Sequence, residues 1–195
     1  MGEPTGVATM RLFVSVDLPD DFAEAVADVQ APLREAAGLS LTDPTQAHVT
    51  LKFLGEVPRS RKVRVESAIE AAVAEADVSP FEVTYGGLGA FPSEDYIRVV
   101  WLGVREGGEA LTELHESLED ELVGAGFDPE EHEFTPHVTL ARMDHAVSKA
   151  LVQGVLREED PTVGTTTVDE VRLTESEQGP DGPVYSTVSR FPLEG

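Results

Sequence analysis

Two of the five histidines in this chain begin the same four-residue motif, H-V-T-L. The motifs start at His48 and His137, and each carries a threonine two residues later, Thr50 and Thr139. If each motif lies on a β-strand, alternation places the histidine and the threonine on one face and the apolar residues on the other. Each strand would then present an imidazole and a hydroxyl side by side above a core-facing underside.

Two imidazoles arranged in this way could catalyse in-line displacement at phosphorus. One histidine would take a proton from the attacking oxygen and the other would give a proton to the departing oxygen. An unperturbed pKa of ~6.5 suits histidine to both roles. The threonine hydroxyls could donate hydrogen bonds to the non-bridging oxygens, where negative charge grows. This scheme needs no metal and no cofactor, and the residues alone do not tell the acid from the base.

The elements around the motifs follow the same order in both halves of the chain, namely strand, helix, motif strand, helix, strand. The first strands begin near residues 11 and 96, and the motifs lie 89 residues apart. Hydrophobic periodicity predicts strands and helices as follows. Predicted strands cover 11–18, 47–57, 80–88, 96–104, 136–143, 163–174 and 184–191, predicted helices cover 19–37, 60–76, 110–123 and 146–156, and 175–183 is a predicted loop.

This order predicts an α+β fold formed by duplication. We expect two pseudo-symmetric lobes, each an antiparallel sheet with helices packed outside, and a central cleft between the lobes, where ligands commonly bind. The predicted boundaries are a disordered extension over residues 1–9 and a single domain over 10–195, with lobes at approximately 10–95 and 96–195.

Composition excludes several other kinds of site. The chain has no cysteine, which excludes disulfides, thiolate nucleophiles and cysteine-bound metals. Its histidines show none of the H-x-H or H-E-x-x-H spacings of metal sites, so we expect no metal. No apolar run reaches the ~18 residues of a transmembrane helix, and the N-terminus lacks the features of a secretory signal. We therefore expect a cytoplasmic monomer with no membrane association and no obligate protein partner.

The charge is strongly acidic, with 37 Asp and Glu against 14 Lys and Arg and a formal charge of −23. The acids are scattered along the chain, which favours a solvated surface adapted to high salt, and a basic partner is the alternative. A protein that grips a long phosphate backbone usually carries a basic stripe. An RNA substrate should therefore contribute only an end or a few nucleotides.

The paired motifs and their flanking segments resemble the two-histidine (2H) phosphoesterase superfamily and, within it, the RNA 2′,3′-cyclic phosphodiesterases of the LigT/ThpR group. The resemblance covers about residues 10–193 and rests on RLFVSVDLP, HVTLKFLGEV, VVWLGV, TPHVTLAR and GPVYSTVSRFPL. It implies a metal-independent enzyme acting on RNA 3′ ends or small cyclic-phosphate nucleotides. It also implies His48 as proton donor, His137 as proton acceptor, and Thr50 and Thr139 as phosphate-binding residues.

Two cations near the motifs are secondary candidates for phosphate binding. Lys52 lies two residues past Thr50, so a regular strand would place it on the face of His48, although a solvated strand-end lysine is equally plausible. Arg142 lies five residues past His137 and reaches that face only through a bulge or a strand end. The family that the chain resembles carries an arginine there.

The remaining candidates are weaker. We expect His115, His132 and His145 to be surface or loop residues. Phe13 and Trp101 could stack on a base, but core packing is the better expectation.

The leading functional hypothesis is hydrolysis of a terminal 2′,3′-cyclic phosphate to a 2′-phosphomonoester. Attack by an RNA 5′-hydroxyl in place of water would run 2′–5′ ligation, which the acidic surface disfavours. The alternative from another class is a non-catalytic module that binds phosphorylated RNA ends or nucleotides.

Overall fold

The computed structural model describes residues 7–194, which form one curled antiparallel sheet with four α-helices outside it. No helix within these residues is long and apolar enough to cross a membrane. The strands are β1 (Thr9–Asp17), β2 (Leu39–Leu41), β3 (His48–Pro58), β4 (Phe81–Pro92), β5 (Ile97–Glu106), β6 (Val138–Met143), β7 (Thr162–Val168), β8 (Glu170–Gly179) and β9 (Gly182–Pro192). The helices are α1 (Ala23–Gln30), α2 (Lys62–Ala76), α3 (Gly108–Gly124) and α4 (Lys149–Glu158).

The two H-V-T-L motifs lie on the central pair of strands, with His48 as the first residue of β3 and His137 directly before β6. The strand order is β7-β4-β5-β6-β3-β1-β8-β9, with short β2 also paired to β6. β3 and β6 run antiparallel and meet at Val49 and Val138. The sheet therefore consists of two matching halves, β3-β1-β8-β9 and β6-β5-β4-β7, which meet between the motifs.

These halves are not the continuous lobes that the sequence predicts. β4 precedes residue 95, yet it pairs with β5 and β7 in the half that contains β6. β8 and β9 pair with each other, and β8 pairs with β1 in the opposite half. Apart from short β2, which pairs with β6, the chain thus crosses between halves after α2 and again near Asp169. A boundary near 95 would separate β4 from its partner β5.

Three local predictions also need correction. The predicted strand 163–174 is two strands, β7 and β8, which lie in different halves of the sheet. The predicted loop 175–183 is wrong, because β8 and β9 continue into it as a hairpin closed between Gly179 and Gly182. The predicted helix 19–37 contains only α1 as α-helix, with short 3₁₀ turns on both sides.

Most of the predicted N-terminal extension, residues 1–9, cannot be compared with the structure. Residues 1–6 lie outside the described residues. Thr9, by contrast, begins β1 and pairs with Pro58.

The core fixes which face of the central strands is left for chemistry. Val49, Leu51, Val138 and Leu140 are at most 2% exposed, as the motif pattern predicts. α2 and α3 pack against each other, and α3 also contacts β3 and β5. The predicted leucine stripe of α3 is fully buried and consists of Leu111, Leu114, Leu118 and Leu122.

The acidic surface predicts that stability depends on salt. The α2–α3 contact brings Glu75 and Glu121 into hydrogen-bond contact, which raises the pKa of Glu121 above its ordinary value. Screening such like-charge contacts should raise the melting temperature steeply between ~0.1 and ~2 M KCl.

Thermal unfolding followed by circular dichroism across that salt series would measure the effect. The variant Glu121→Gln should melt higher than the parent at low salt and at the same temperature at high salt. A melting temperature that does not change with KCl would show that the acidity serves another purpose, such as binding a basic partner.

Candidate active site

The pairing of β3 with β6 brings the four motif side chains together. Extending the Val49–Val138 register by one residue each way places His48 opposite Thr139 and His137 opposite Thr50. The two histidines are then diagonal neighbours, with backbones roughly 7–8 Å apart. All four side chains are half-buried. The four side chains therefore share one face of the central strand pair.

Each imidazole is oriented by the same local hydrogen bond. His48 Nδ1 lies 2.9 Å from the carbonyl oxygen of Gln46, and His137 Nδ1 lies 2.7 Å from that of Thr135. A carbonyl can only accept, so each Nδ1 carries the proton and donates it. Nε2 of each ring is thus the atom left to exchange a proton with a substrate.

Aromatic side chains hold both rings in place. Phe13 stacks on His48 with ring centroids 4.9 Å apart, and Tyr185 meets His48 edge-on at 5.1 Å. Phe91 meets His137 edge-on at 4.9 Å, with Trp101 at 6.0 Å. Phe13 is 4% exposed, which confirms the expectation that it packs in the interior.

The surroundings lower the pKa of both histidines. For His48 the main cause is burial, which the Gln46 carbonyl and the charge of Asp17 oppose. For His137 burial is again the main cause, opposed by the Thr135 carbonyl and reinforced by the charges of His48 and Arg142. Both pKa values therefore lie below the ordinary value of 6.5. Since His48 lowers the pKa of His137, the two rings interact across the site.

A bulge brings Arg142 to the cleft face. Thr139 pairs with Trp101 and Ala141 with Val100, so one extra residue is inserted in β6. Leu140 and Ala141 are both fully buried, and Arg142 returns to the face of Thr139. This is the condition under which the sequence allowed Arg142 to reach the site. Its charge acts on both histidines, because it lowers the pKa of each.

The matching bulge in β3 removes Lys52 from the cleft. Thr50 pairs with Ser15 and Lys52 with Val14, so Lys52 follows Leu51 into the interior. Its ammonium is buried and lies 2.7 Å from a carboxylate oxygen of Glu119. The expectation that Lys52 shares the face of His48 and binds phosphate is therefore wrong.

Phe53 lies five residues after His48, the position that Arg142 occupies after His137. It pairs with Phe13, whose ring stacks on His48, and it is 64% exposed. The two bulges thus place an apolar side chain at one end of the cleft face and a cation at the other.

Among the other histidines, His115 departs from expectation. It is buried on α3, where its Nδ1 lies 2.7 Å from the carbonyl of Leu51 and its ring stacks on Phe134 at 4.2 Å. His132 and His145 are exposed, as predicted. No group of three His, Cys, Asp or Glu side chains within residues 7–194 is arranged to hold a metal ion.

Several residues that support His48 were missed from the sequence. Asp17 ends β1 directly opposite His48 and accepts hydrogen bonds from Ser15 at 2.8 Å and from Arg172 at 2.9 Å. Gln46 accepts from the backbone N–H of Tyr185 through its side chain at 2.8 Å. Alternation along RLFVSVD could have placed Asp17 on the cleft face, but Arg172 reaches it only through the β1–β8 pairing.

An open groove of about 1090 Å³ adjoins the His137 side of the site. It runs from Trp101 and Pro136 to the start of α3. Three carboxylates line it, those of Glu106, Glu109 and Glu113. The groove is large enough for a nucleotide, and its acidic lining disfavours an extended phosphate backbone.

The chain is similar to known proteins over most of its length. The family model described as the 2′-5′ RNA ligase superfamily matches residues 18–180. A protein of Methanothermobacter thermautotrophicus named RNA 2′,3′-cyclic phosphodiesterase is 36% identical over 186 residues, covering 94% of this chain and 99% of the relative. A protein of the same name from Archaeoglobus fulgidus is 34% identical over 182 residues, covering 93% and 99%.

Solved structures show the same likeness. The protein TT0787 of Thermus thermophilus aligns with a TM-score of 0.77 at 29% identity, covering 95% of this chain and 99% of that one. E. coli LigT complexed with 3′-AMP aligns with a TM-score of 0.77 at 25% identity, covering 96% and 100%. These alignments confirm the predicted fold class. With the family model spanning most of its length, the chain belongs to the 2′-5′ RNA ligase superfamily.

Proposed function

We propose that this chain is an RNA 2′,3′-cyclic phosphodiesterase that opens the cyclic phosphate at an RNA 3′ end to give a 2′-phosphomonoester. The observation that carries the proposal is the pairing of His48 and His137 on adjacent central strands. Each ring is anchored through Nδ1, and each keeps Nε2 for proton exchange. The names of the relatives from M. thermautotrophicus and A. fulgidus support this substrate class.

The reaction consumes one water and needs no other reactant. His137 Nε2 accepts a proton from water as the water oxygen bonds to phosphorus, and the bond from phosphorus to the ribose 3′-oxygen breaks. His48 Nε2 donates its proton to that leaving oxygen. The hydroxyls of Thr50 and Thr139 donate to the non-bridging oxygens, and Arg142 offsets their charge. Proton exchange with solvent then restores both rings.

Electrostatics support His48 as the acid and His137 as the base. Asp17 lies opposite His48 and favours its imidazolium form, against the opposing effect of burial. His137 has the charges of His48 and Arg142 nearby, and both favour its neutral form. Arg142 lowers the pKa of His48 as well, so Asp17, which acts on His48 and not on His137, is the feature that supports this assignment of roles.

The most informative test is an assay of the purified protein at high salt with EDTA. The substrate is a short RNA oligonucleotide ending in a 2′,3′-cyclic phosphate, and adenosine 2′,3′-cyclic phosphate serves as the mononucleotide comparison. We expect a 2′-phosphate product from the oligonucleotide. Binding without turnover would support the non-catalytic module instead, and a 3′-phosphate product would contradict the proposed leaving group.

The lowered pKa values predict where activity peaks. One histidine must be neutral and the other protonated, so kcat/KM should follow a bell-shaped curve. Both free-enzyme pKa values lie below 6.5, so the optimum of kcat/KM should lie on the acidic side of that value. A bound phosphate favours the imidazolium forms, so the optimum of kcat should lie at higher pH.

Initial rates measured across pH at constant ionic strength would separate the two curves. Their limbs belong to the interacting pair rather than to either ring. A kcat/KM optimum above pH ~7 would contradict the lowered pKa values of the two histidines.

A further inference from the structure

Lys52 has no part in the proposed reaction, yet its charged end is buried and engaged on two sides. The residue is 3% exposed and lies one position after the first motif. Its Nζ pairs with Glu119 of α3 at 2.7 Å and donates to the carbonyl of Asp128 at 2.8 Å. A buried ammonium is costly unless it is paired and hydrogen-bonded in this way.

Asp128 belongs to the segment that leads into the second motif. This segment, the His137 loop (residues 125–137), joins α3 to β6 without helix or strand. Glu130 also belongs to this loop, and its backbone N–H donates a hydrogen bond to Glu119 at 2.6 Å. Burial alone would raise the pKa of Glu119, but the ion pair with Lys52 and the hydrogen bond from the Glu130 amide lower it below its ordinary value, so the carboxylate is ionised.

The remaining anchors hold the two ends of the His137 loop. Arg61 donates to the carbonyl of Ala125 at 2.6 Å and lies over the ring of Phe127. Near the other end, His115 stacks on Phe134. Lys52 and Glu119 hold Asp128 and Glu130 between these ends, so the loop is anchored at both ends and in its middle.

We propose that Lys52 is a positioning residue for His137, because it couples the first motif strand to the loop whose Thr135 carbonyl fixes the second catalytic imidazole. Lys52 lies on β3, the strand of His48, and its contacts with Glu119 and Asp128 join this strand to the loop that ends at His137. The inference rests on the proposed function for its kinetic readout only.

The two motifs differ at this position, which argues for a dedicated role. The residue that follows the second motif, at the matching bulge, is Ala141, a fully buried side chain with no polar group. General core packing would be served by a small apolar residue at both places. The lysine occurs on the side where a 13-residue connection must be held, and loops of that length in compact domains are usually functional.

The test compares folded variants that keep or lack the contacts of Lys52 with Glu119 and Asp128. Lys52→Met alone would leave the partly buried carboxylate of Glu119 charged and without its cation, so the informative variant is the double change K52M/E119L. It should fold, because apolar replacement of both partners of a buried pair is often neutral. Lys62→Met is the matched control, since that lysine is half-exposed and pairs only loosely with Glu66, at 3.6 Å.

The double variant should lower kcat ~10-fold or more with KM within about twofold, because small misplacements of a catalytic group are costly. Imidazole ¹⁵N spectra without substrate should show His137 as a mixture of tautomers and His48 still protonated on Nδ1. Lys52→Arg, which keeps the charge, should recover most of kcat. The control should match the parent in both measurements.

A folded double variant with parental kcat and an unchanged His137 tautomer would overturn the proposal. If the double variant does not fold, Glu119→Gln replaces it, because glutamine keeps the shape of the side chain and an acceptor for the Glu130 N–H. The same changes in kcat and in the His137 tautomer are then expected, but they should be smaller. If the parent itself does not open cyclic phosphates, the proposed function fails. The tautomer of His137 in the variants then still decides the role of Lys52.

Discussion

Replacing His48 or His137 with alanine should each lower turnover of a cyclic-phosphate end by ~10² or more. Positioned acid–base catalysis is typically worth 10²–10⁴, and each ring is held for it by its own Nδ1 hydrogen bond. The double variant should be little worse than either single one, because the two rings act as a unit. Single-turnover rates with saturating enzyme would isolate this step from substrate binding.

His145→Ala is the matched control, since His145 is exposed and lies outside the central strand pair. It should keep the turnover of the parent. A single-variant turnover near the parental value at His48 or His137 would remove the paired mechanism, whatever the other variant shows.

Replacing Arg142 with methionine should raise KM ~10-fold or more. A hydrogen bond to a charged group is worth roughly 1.5–3 kcal/mol, and Arg142 is the cation that the β6 bulge turns to the cleft face. Its charge also lowers the pKa of both histidines, so its removal should move both limbs of the kcat/KM curve to higher pH. The two effects have one cause and should appear together.

Arg142→Lys should recover the pH curve but only part of the affinity, because lysine keeps the charge without the planar fork. Arg98→Met is a suitable control, since the guanidinium of Arg98 lies against Tyr96. A methionine variant with parental KM and an unshifted pH curve would show that Arg142 does not contact the phosphate.

The central chemistry could be predicted from the sequence because it depends on local patterns. Alternation in H-V-T-L sets which side chains share a face, and both motif strands lie as predicted. The buried position of His115 was also readable in principle. It lies four residues after Leu111 and one after Leu114, within the apolar stripe of α3.

The strand faces on which Lys52 and Arg142 lie could not be predicted in the same way. A regular strand would place Lys52 in the cleft and Arg142 outside it, and the structure has the reverse. The cause is one extra residue in each motif strand, which appears only in the pairing with β1 and β5. The exchange of strands between the two halves is likewise a property of pairing between distant segments.

If His48 and His137 contact one phosphate, an imidazole ¹⁵N titration should show both rings responding to the same bound ligand. The protein would be titrated over pH alone and with saturating adenosine 2′-phosphate, a mononucleotide of the product class. We expect the phosphate to raise the pKa of both rings and to perturb Nε2 of each, while each Nδ1 stays protonated. A response from only one ring, or from neither, would contradict a shared phosphate site.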